Sequence, residues 1–335
     1  MNIQIKHIEY YLPGSPITNS ELGKLNPNWD MDKTADKTGV YSRHFAKPDE
    51  TAYDLAIQAC EKLFANNSID KDEIDGIIVC TQSPDYIMPS NAFLIHKHFN
   101  LKHNVLAFDI NLACSGYSYG LVLAASLINS AVAKNILLVT SDTYSKFINK
   151  GYRSAYTLFG DGAAVTMLSA SPSSQIIDSA LYTSGKDYKV FYVPAGGVKL
   201  PKSPETSIEH TDNSGNIRSD NDIYMDGFSV WKFIQATVPK QINELLSKNN
   251  LTKDDISMFF FHQASKMTLE SLTKAMKIPE EKAFSNIEYV GNTVSSSIPI
   301  CIKDAIDKDL IKRGDLLLLS GFGVGLSWGS VLLRY

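Results

Sequence analysis

The sequence contains three residues that could share one chemistry, namely Cys114, His262 and Asn292. Cys114 lies in NLACSGYSYGLVLAASLI, directly before a helix predicted to begin near Ser115. The positive end of a helix dipole stabilises a thiolate and lowers its pKa, and the free backbone N–H groups there can bind an oxyanion. A cysteine in that position can attack an acyl group and hold it as a covalent intermediate.

His262 and Asn292 occupy junctions between strands and helices, as Cys114 does. His262 follows the apolar run SMFFF, and Asn292, in YVGNTVSSS, precedes a helix. Each residue alone has an ordinary structural interpretation: the histidine as a satisfied polar group, the asparagine as a helix cap or turn residue, the thiol as packing. The three residue types at equivalent junctions favour a shared site.

Short apolar runs alternate with segments of helical spacing, which is typical of a layered α/β fold. The sequence predicts buried strands over 74–81, 104–110 and 134–141, and helices over 50–67 and 116–132. Continuous apolar runs of this length indicate strands whose two faces are both covered.

The second half of the chain resembles the first half in the order and type of its elements. The similar pairs are 66–82 with 249–263, 134–141 with 314–321, and 162–169 with 329–335. We therefore expect a duplicated α/β unit. Because open α/β sheets bind ligands outside the carboxyl ends of their strands, the duplication should bring Cys114, His262 and Asn292 toward one another.

The chain of 335 residues is too long for one ordinary core, so two halves are expected. We predict an N-terminal half over 1–172 that carries the cysteine and a C-terminal half over 173–335 that carries the histidine and the asparagine. The Ser/Pro-rich stretch SASPSSQ marks the join. The polar, turn-rich stretch 195–222 is predicted to be a surface insertion.

Composition excludes several classes of protein. A net charge of −4 argues against a nucleic-acid binder held by bulk electrostatics. No segment has the roughly 18 uninterrupted apolar residues of a membrane helix, and the first residues lack the form of a signal peptide. The four cysteines are scattered, with no spacing for zinc or a disulfide framework, so no metal is expected and a reducing cytoplasm is the simplest compartment.

Several motifs occur in the order and at the spacing of one family. They are ACSGYSYGL around Cys114, LFGDGAAV, HQAS, YVGNTVSSSIP and the closing GFGVGLSWGSVLLRY. From TGVYSRHFA to Tyr335, essentially the whole chain resembles ketoacyl synthase III, the 3-oxoacyl-[acyl-carrier-protein] synthase of the thiolase superfamily. The resemblance implies duplicated α/β halves in a five-layered αβαβα arrangement. Sister families with a Cys-His-His set are disfavoured because the third position is Asn292.

The resemblance implies a decarboxylating Claisen condensation. Cys114 takes the acyl group from an acyl thioester, and the backbone N–H groups of Cys114 and Val324 form the oxyanion hole. His262 and Asn292 donate hydrogen bonds to the carbonyl of malonyl-acyl carrier protein and stabilise the enolate left by loss of carbon dioxide. Phe322 packs over the nucleophile. The product is a 3-oxoacyl carrier protein for fatty-acid or related secondary-metabolite biosynthesis.

The resemblance also implies several partners. Arg153 and Lys37 match positions that contact coenzyme A, which is a substrate here and not a resident cofactor. Lys232 matches a basic residue that docks the acidic acyl carrier protein, which requires only a local basic site on an acidic chain. Met88, before Pro89, matches a bulky residue that lines the acyl pocket at the interface of a homodimer.

The sequence departs from the family pattern at five positions. Lys33 and Lys37 stand where the family has a tryptophan and an arginine around adenine, and Ser265 replaces the asparagine of HQAN. Met267 replaces an arginine, and Val324 replaces a glycine. These differences leave open both a fatty-acid initiator and a specialised relative, and a donor carried either by coenzyme A or by a carrier protein.

Three other functions stay open at this point. The acyl-cysteine step could serve an acyltransferase or a thioesterase without condensation. A cysteine peptidase also uses Cys, His and Asn in this order, although the papain-type signature is absent. The chain could also be a non-catalytic subunit in which Cys114 is structural.

Overall fold

The apolar runs of the sequence form strands, and the segments with helical spacing form helices. The computed structural model describes residues 3–172 and 175–335. The strands are β1 (Ile3–Tyr11), β2 (Ile17–Thr18), β3 (Ser42–Arg43), β4 (Gly76–Cys80), β5 (Leu106–Ile110), β6 (Asn135–Asp142), β7 (Gly162–Ala170), β8 (Ile176–Thr183), β9 (Phe191–Tyr192), β10 (His210–Thr211), β11 (Ile217–Arg218), β12 (Tyr224–Met225), β13 (Met258–Phe261), β14 (Leu316–Gly323) and β15 (Ser327–Arg334). The α-helices are α1 (Asn19–Leu25), α2 (Met31–Thr38), α3 (Ala52–Asn67), α4 (Asn91–His98), α5 (Gly116–Asn129), α6 (Arg153–Tyr156), α7 (Gly227–Lys248), α8 (Lys266–Met276), α9 (Ile287–Val290) and α10 (Ser297–Asp307).

Two sheets of matching topology carry the duplication. The first has the order β1-β7-β6-β4-β5, and the second has the order β8-β15-β14-β13. In both sheets the first two pairings are antiparallel and the third is parallel. The counterpart of β5 is reduced to a single parallel bridge between Phe259 and Ala283. The predicted duplicated α/β unit is therefore confirmed, with one strand fewer in its second copy.

Helices separate and cover the two sheets, which gives five layers. Helices α3 and α4 pack on the outer face of the first sheet, and α7 packs on the outer face of the second with α8 against it. Helices α5 and α10 lie between the sheets and touch strands of both. The central core includes Tyr117 and Leu121 of α5 with Ile298 and Ile302 of α10, all fully buried. The predicted αβαβα arrangement is confirmed.

The predicted boundary between the two halves falls at residues that the structure does not describe. All strands of the first sheet lie before residue 171, and all strands of the second lie after residue 175. Residues 173 and 174, where the C-terminal half was predicted to begin, lie outside the described residues. The boundary between 1–172 and 173–335 therefore stays a prediction.

The stretch 195–222 contains little regular structure. Within it, β10 and β11 form a two-stranded pair, and most of its other residues are turns or irregular backbone. Its polar composition explains this, because turn-forming residues without an apolar face cannot join a buried layer. Among the residues that the structure describes, no helix is long and apolar enough to cross a membrane.

Truncating a side chain in the central layer should destabilise both halves together. Ile298 is fully buried between the sheets, so Ile298→Ala should lower the free energy of unfolding by about 2–5 kcal/mol through lost burial and a residual cavity. Urea unfolding followed by circular dichroism measures the change. Leu310→Ala is the matched control, because that side chain is 47% exposed and should lose much less. Equal losses in the two variants would contradict this account of the core.

Candidate active site

Cys114 lies in the turn between β5 and α5, and the end of β14 in the second sheet packs against this turn. A Cβ added to Gly321 would stand 2.5 Å from the Cys114 carbonyl oxygen and 2.8 Å from Ser115 Cα. A Cβ added to Gly323 would stand 2.9 Å from Cys114 Sγ. All three distances are too short for a side chain, so glycine at these two positions of β14 lets the two backbones approach.

Two backbone N–H groups act on the Cys114 sulfur. One belongs to Cys114 itself, and the other belongs to Val324, which follows β14. Each favours the ionised sulfur and thereby opposes a rise of its pKa. The geometry brings together the two donors that the sequence predicts for an oxyanion hole, one from each half of the chain.

The resting thiol is protonated, which corrects an expectation from the sequence. Burial, followed by a smaller contribution from Asp142, raises the pKa of Cys114 to about 12. Because the sulfur is only 2% exposed, desolvation outweighs the two N–H groups and the start of the helix. The thiolate predicted from the start of the helix is therefore wrong, because burial outweighs that local stabilisation.

His262 follows β13 and is fixed on two sides. Its backbone N–H donates to the Ser320 carbonyl of β14 at 2.9 Å, and its ring Nδ1 lies 2.7 Å from Ser297 Oγ. The Phe322 ring stands edge-on to the imidazole, with 5.8 Å between centroids. Burial lowers the pKa of His262 to about 3, so the ring is neutral at physiological pH.

Asn292 is held so that its amide nitrogen remains available. Its backbone N–H donates to the Leu158 carbonyl at 3.0 Å, and its own carbonyl accepts from Gly160 N–H at 2.9 Å. The side-chain Oδ1 accepts from Val294 N–H at 3.0 Å. Oδ1 is therefore occupied, whereas Nδ2 makes one long hydrogen bond, of 3.5 Å, to the Ala264 carbonyl. The NH₂ group has a second N–H, which can donate to a ligand.

One small apolar cavity brings the predicted residues together. It has a volume of about 180 Å³, and Cys114, His262, Asn292 and Phe322 all line it. The remaining lining is mostly apolar and includes Met225, Val230, Trp231, Ile234 and Met267. A thiol, a neutral imidazole and a carboxamide in an apolar cavity can bind and polarise a thioester carbonyl, because buried donors act there without competition from water.

A larger cavity of about 620 Å³ lies on the other side of Phe191. Phe191 lines both cavities, and the larger one also contacts Val324 and Gly325, which follow the Cys114-facing end of β14. Its walls carry further aromatic and aliphatic side chains, including Tyr144, Phe147 and Ile223. A group attached to Cys114 therefore has apolar space close by.

Four predicted contact residues lie away from the small cavity. Lys37 is exposed in the last turn of α2, and Lys232 is exposed on α7 next to the cavity residue Trp231. Arg153 begins α6 and donates to the Ser214 carbonyl at 3.4 Å. Met88 is 79% exposed and lines neither of the two cavities of its own chain. Their roles stay predictions.

Sequence reasoning missed the polar residues behind the cavity. Asp142, at the end of β6, is fully buried and accepts from Gln82 N–H at 2.8 Å and from Ser295 Oγ at 2.5 Å. Burial raises the pKa of Asp142 to about 7. The run SSS after Asn292 was the available signal, because three consecutive small hydroxyls beside a candidate residue can each bond to another segment.

Within residues 3–172 and 175–335, no three His, Cys, Asp or Glu side chains gather as potential metal ligands. All four cysteines are unpaired and buried.

Comparisons with known proteins show the family to which the chain belongs. Residues 108–185 match the model of 3-oxoacyl-[acyl-carrier-protein] synthase III, and residues 246–335 match the model of its C-terminal region. A beta-ketoacyl-[acyl-carrier-protein] synthase III of Fusobacterium nucleatum is 36% identical over 335 residues, which cover 100% of this chain and 99% of that protein. The chain belongs to the 3-oxoacyl-[acyl-carrier-protein] synthase III family. It is thus an acyl-transferring condensing enzyme of the thiolase superfamily.

Solved structures of synthase III proteins have the same fold. A crystal structure of a 3-oxoacyl-(acyl-carrier-protein) synthase III, 39% identical, covers 100% of both chains with a TM-score of 0.97. A 3-oxoacyl-(acyl-carrier-protein) synthase of Burkholderia xenovorans, 32% identical, covers 99% of this chain and 94% of that chain with a TM-score of 0.91. The family resemblance read from the motifs is confirmed.

Two departures from the synthase III pattern have a structural explanation. Ser265 is the N-cap of α8, and its Oγ accepts from Thr268 N–H at 3.2 Å. Serine and asparagine are both strong N-cap residues, so HQAS preserves the helix start that HQAN provides. Met267, where the family often has arginine, lines the small cavity and is 53% exposed, so the cavity opens past an apolar rather than a cationic side chain.

Adding a methyl group to Gly323 should block the nucleophile of this synthase. Gly323→Ala places a Cβ against Cys114 Sγ, and a displacement of about 1 Å at a reacting atom can reduce a rate about 100-fold. The rate of covalent acyl transfer from an acyl thioester, followed by intact-protein mass, measures the effect. Gly185→Ala is the matched control, because a Cβ there meets nothing within 4 Å. Unchanged acyl transfer in Gly323→Ala would contradict the described contact.

Replacing Asp142 should change how stability depends on pH. Its raised pKa means that the folded protein retains a proton from about pH 4 to about pH 7 that the unfolded chain has released. This group therefore makes the free energy of unfolding fall as pH rises through that interval. Asp142→Asn lacks the contribution and should gain stability relative to the unsubstituted protein as pH rises. Urea unfolding at a series of pH values measures the difference, and a difference independent of pH would refute the assignment.

Proposed function

We propose that the chain catalyses decarboxylating Claisen condensation of an acyl thioester with malonyl-acyl carrier protein, through an acyl group on Cys114. The observation that carries the proposal is the meeting of Cys114, His262 and Asn292 in one apolar cavity. Two backbone N–H groups at the sulfur add the donors that acyl transfer requires. The product is a 3-oxoacyl carrier protein.

In the first step Cys114 takes the acyl group. Its sulfur attacks the thioester carbonyl, and the N–H groups of Cys114 and Val324 stabilise the oxyanion of the tetrahedral intermediate. The bond from carbonyl carbon to the donor sulfur then breaks. The proton lost from Cys114 Sγ leaves on the departing thiol, so the acylated site is neutral and suits its apolar surroundings.

In the second step malonyl-acyl carrier protein enters the same cavity. His262 Nε2 and Asn292 Nδ2 donate to its thioester carbonyl, and the carboxylate leaves as carbon dioxide while its electron pair forms an enolate. The enolate carbon attacks the acyl-Cys114 carbonyl, the bond from that carbon to Cys114 Sγ breaks, and the sulfur leaves as a thiolate that takes up one proton from solvent. A donor of this kind is commonly worth about 3–4 kcal/mol of transition-state stabilisation. Phe322, packed on the imidazole, keeps the carboxylate in apolar surroundings that favour its loss.

The acyl chain occupies the larger cavity in this proposal, with Phe191 between it and the carrier arm. A homodimer would complete that cavity. Tyr86, Ile87, Met88 and Phe93 form an exposed apolar surface, and Ile87 is 97% exposed. Such a surface on one chain favours burial against a second copy. We propose that Met88 of each subunit reaches the acyl site of the other.

Charged residues around the entrance are proposed to hold the carriers. Arg153 and Lys37 contact coenzyme A when it brings the acyl group, and it leaves as a product and not as a resident cofactor. Lys232, exposed beside Trp231, docks the acidic acyl carrier protein. We place the reaction in the cytoplasm, where four unpaired cysteines remain reduced.

Two variants separate the steps of the proposed reaction. Cys114→Ala should abolish the covalent acyl adduct seen by intact-protein mass after incubation with acyl-coenzyme A. His262→Ala should retain the adduct, whereas carbon dioxide release from malonyl-acyl carrier protein should fall about 100- to 1,000-fold because one enolate donor is lost. Cys60→Ala, at another buried thiol, is the control and should retain both activities.

The outcomes distinguish condensation from other acyl chemistry. An adduct with no carbon dioxide release in the unsubstituted protein would favour an acyltransferase or a thioesterase without condensation. No adduct on any cysteine would favour a non-catalytic subunit. Equal loss of adduct and of carbon dioxide release in His262→Ala would overturn the role assigned to the imidazole.

A further inference from the structure

The Ser297 side chain contacts the His262 imidazole at its Nδ1 atom. It begins α10 and is 1% exposed, and its Oγ lies 2.7 Å from His262 Nδ1. The same Oγ lies 3.1 Å from the Val294 carbonyl and 3.4 Å from the backbone N–H of Gln263. The hydroxyl has one proton for two possible acceptors, Nδ1 and the Val294 carbonyl, and the Val294 backbone also hydrogen-bonds the imidazole.

The direction of this hydrogen bond determines what His262 can do at the cavity. If Ser297 donates to Val294, then Nδ1 carries the imidazole proton and donates to Ser297, and Nε2 can only accept. If Ser297 donates to Nδ1, then Nε2 carries the proton and can donate to a substrate oxygen. Protonating both nitrogens is not an alternative at neutral pH, because burial lowers the pKa of His262 to about 3.

We propose that Ser297 is a positioning residue whose Oγ–H donates to His262 Nδ1 and holds the imidazole in the Nε2–H tautomer that donates to the thioester carbonyl. The inference rests on the proposed function, because only a reaction that develops negative charge on a carbonyl oxygen needs this donor. It assigns a role outside the Cys-His-Asn set to a residue that need not touch substrate. The contact at 2.7 Å is in the range of a strong hydrogen bond.

The neighbouring serines bond to other segments and so provide a comparison. Ser296 is fully buried and its Oγ donates to the carbonyls of Thr140 and Gly162, at 3.0 and 3.2 Å. Ser295 Oγ donates to Asp142. These two serines tie the turn before α10 to the first sheet. Of the three, only Ser297 bonds to the imidazole, so a general loss of packing is separable from a specific effect on the ring.

The experiment compares Ser297→Ala with Ser296→Ala. Acyl capture from acyl-coenzyme A and carbon dioxide release from malonyl-acyl carrier protein are measured for each variant and for the unsubstituted protein. Because Cys114 and the oxyanion donors are untouched, Ser297→Ala should retain capture. Its carbon dioxide release should fall about 10- to 100-fold, by analogy with the loss of a hydrogen-bond partner that orients a metal-bound histidine. Ser296→Ala should change both rates equally, if at all.

Nitrogen-15 NMR of histidine-labelled protein tests the tautomer directly. The protonated and unprotonated ring nitrogens of a neutral histidine resonate far apart, and the His262 signals are identified by their absence from His262→Ala. The unsubstituted protein should show Nε2–H, and Ser297→Ala should shift toward Nδ1–H, because Ser297 no longer donates to Nδ1 while the Val294 backbone stays within hydrogen-bonding reach of the ring. Nδ1–H in the unsubstituted protein would overturn the proposal, whether or not the variant folds.

The two proposals fail in different ways. Unsubstituted protein that releases no carbon dioxide from malonyl-acyl carrier protein would count against the proposed function itself. Unsubstituted protein that does release it, with Ser297→Ala equally active and unchanged in tautomer, would count against Ser297 alone. A parallel decrease of capture and release in both serine variants would reduce Ser297 to a packing residue.

Discussion

The active site depends on a contact between two backbones, the tip of β14 and the turn that carries Cys114. Gly321 and Gly323 permit this contact, because any Cβ at either position would overlap the cysteine turn. The contact places Val324 N–H at the sulfur and positions β14 beside β13, which carries His262 at its end. Each half of the chain thus supplies part of a site that neither contains alone, and the five layers serve to hold the two parts in register.

Desolvation is the second constraint, and it determines the charge state of the site. Burial raises the pKa of Cys114 and lowers that of His262, so the resting pair is a neutral thiol and a neutral imidazole. A neutral histidine can donate from only one nitrogen, which gives the contact with Ser297 its importance. The same dry environment makes each donor effective when negative charge develops on a substrate oxygen, because no water competes for it.

The sequence was sufficient to predict much of the fold and the three central residues. Apolar runs such as 134–141 became buried strands because their composition leaves no polar face, and the duplication followed from the repeated order of elements. Cys114 and His262 were recognisable because each follows a strand and precedes a helix, whereas the junction expected at Asn292 was only half right, since Asn292 precedes α10 but follows α9 and not a strand. The charge on Cys114 was predicted wrongly, because a local rule about helix termini does not include the desolvation imposed by distant layers. Ser297 was missed because its partner lies 35 residues away, at a contact that only the packing of α10 against β13 creates.

The raised pKa of Cys114 affects how readily its thiol is oxidised or alkylated. Peroxide and simple alkylating agents react with thiolates, so we expect Cys114, a residue that is 2% exposed and whose pKa burial raises, to react slowly with both. A ligand that fits the cavity and polarises its own carbonyl against the two N–H groups escapes this protection. Covalent inhibitors of this site should therefore gain selectivity from shape and carbonyl placement more than from intrinsic electrophilicity.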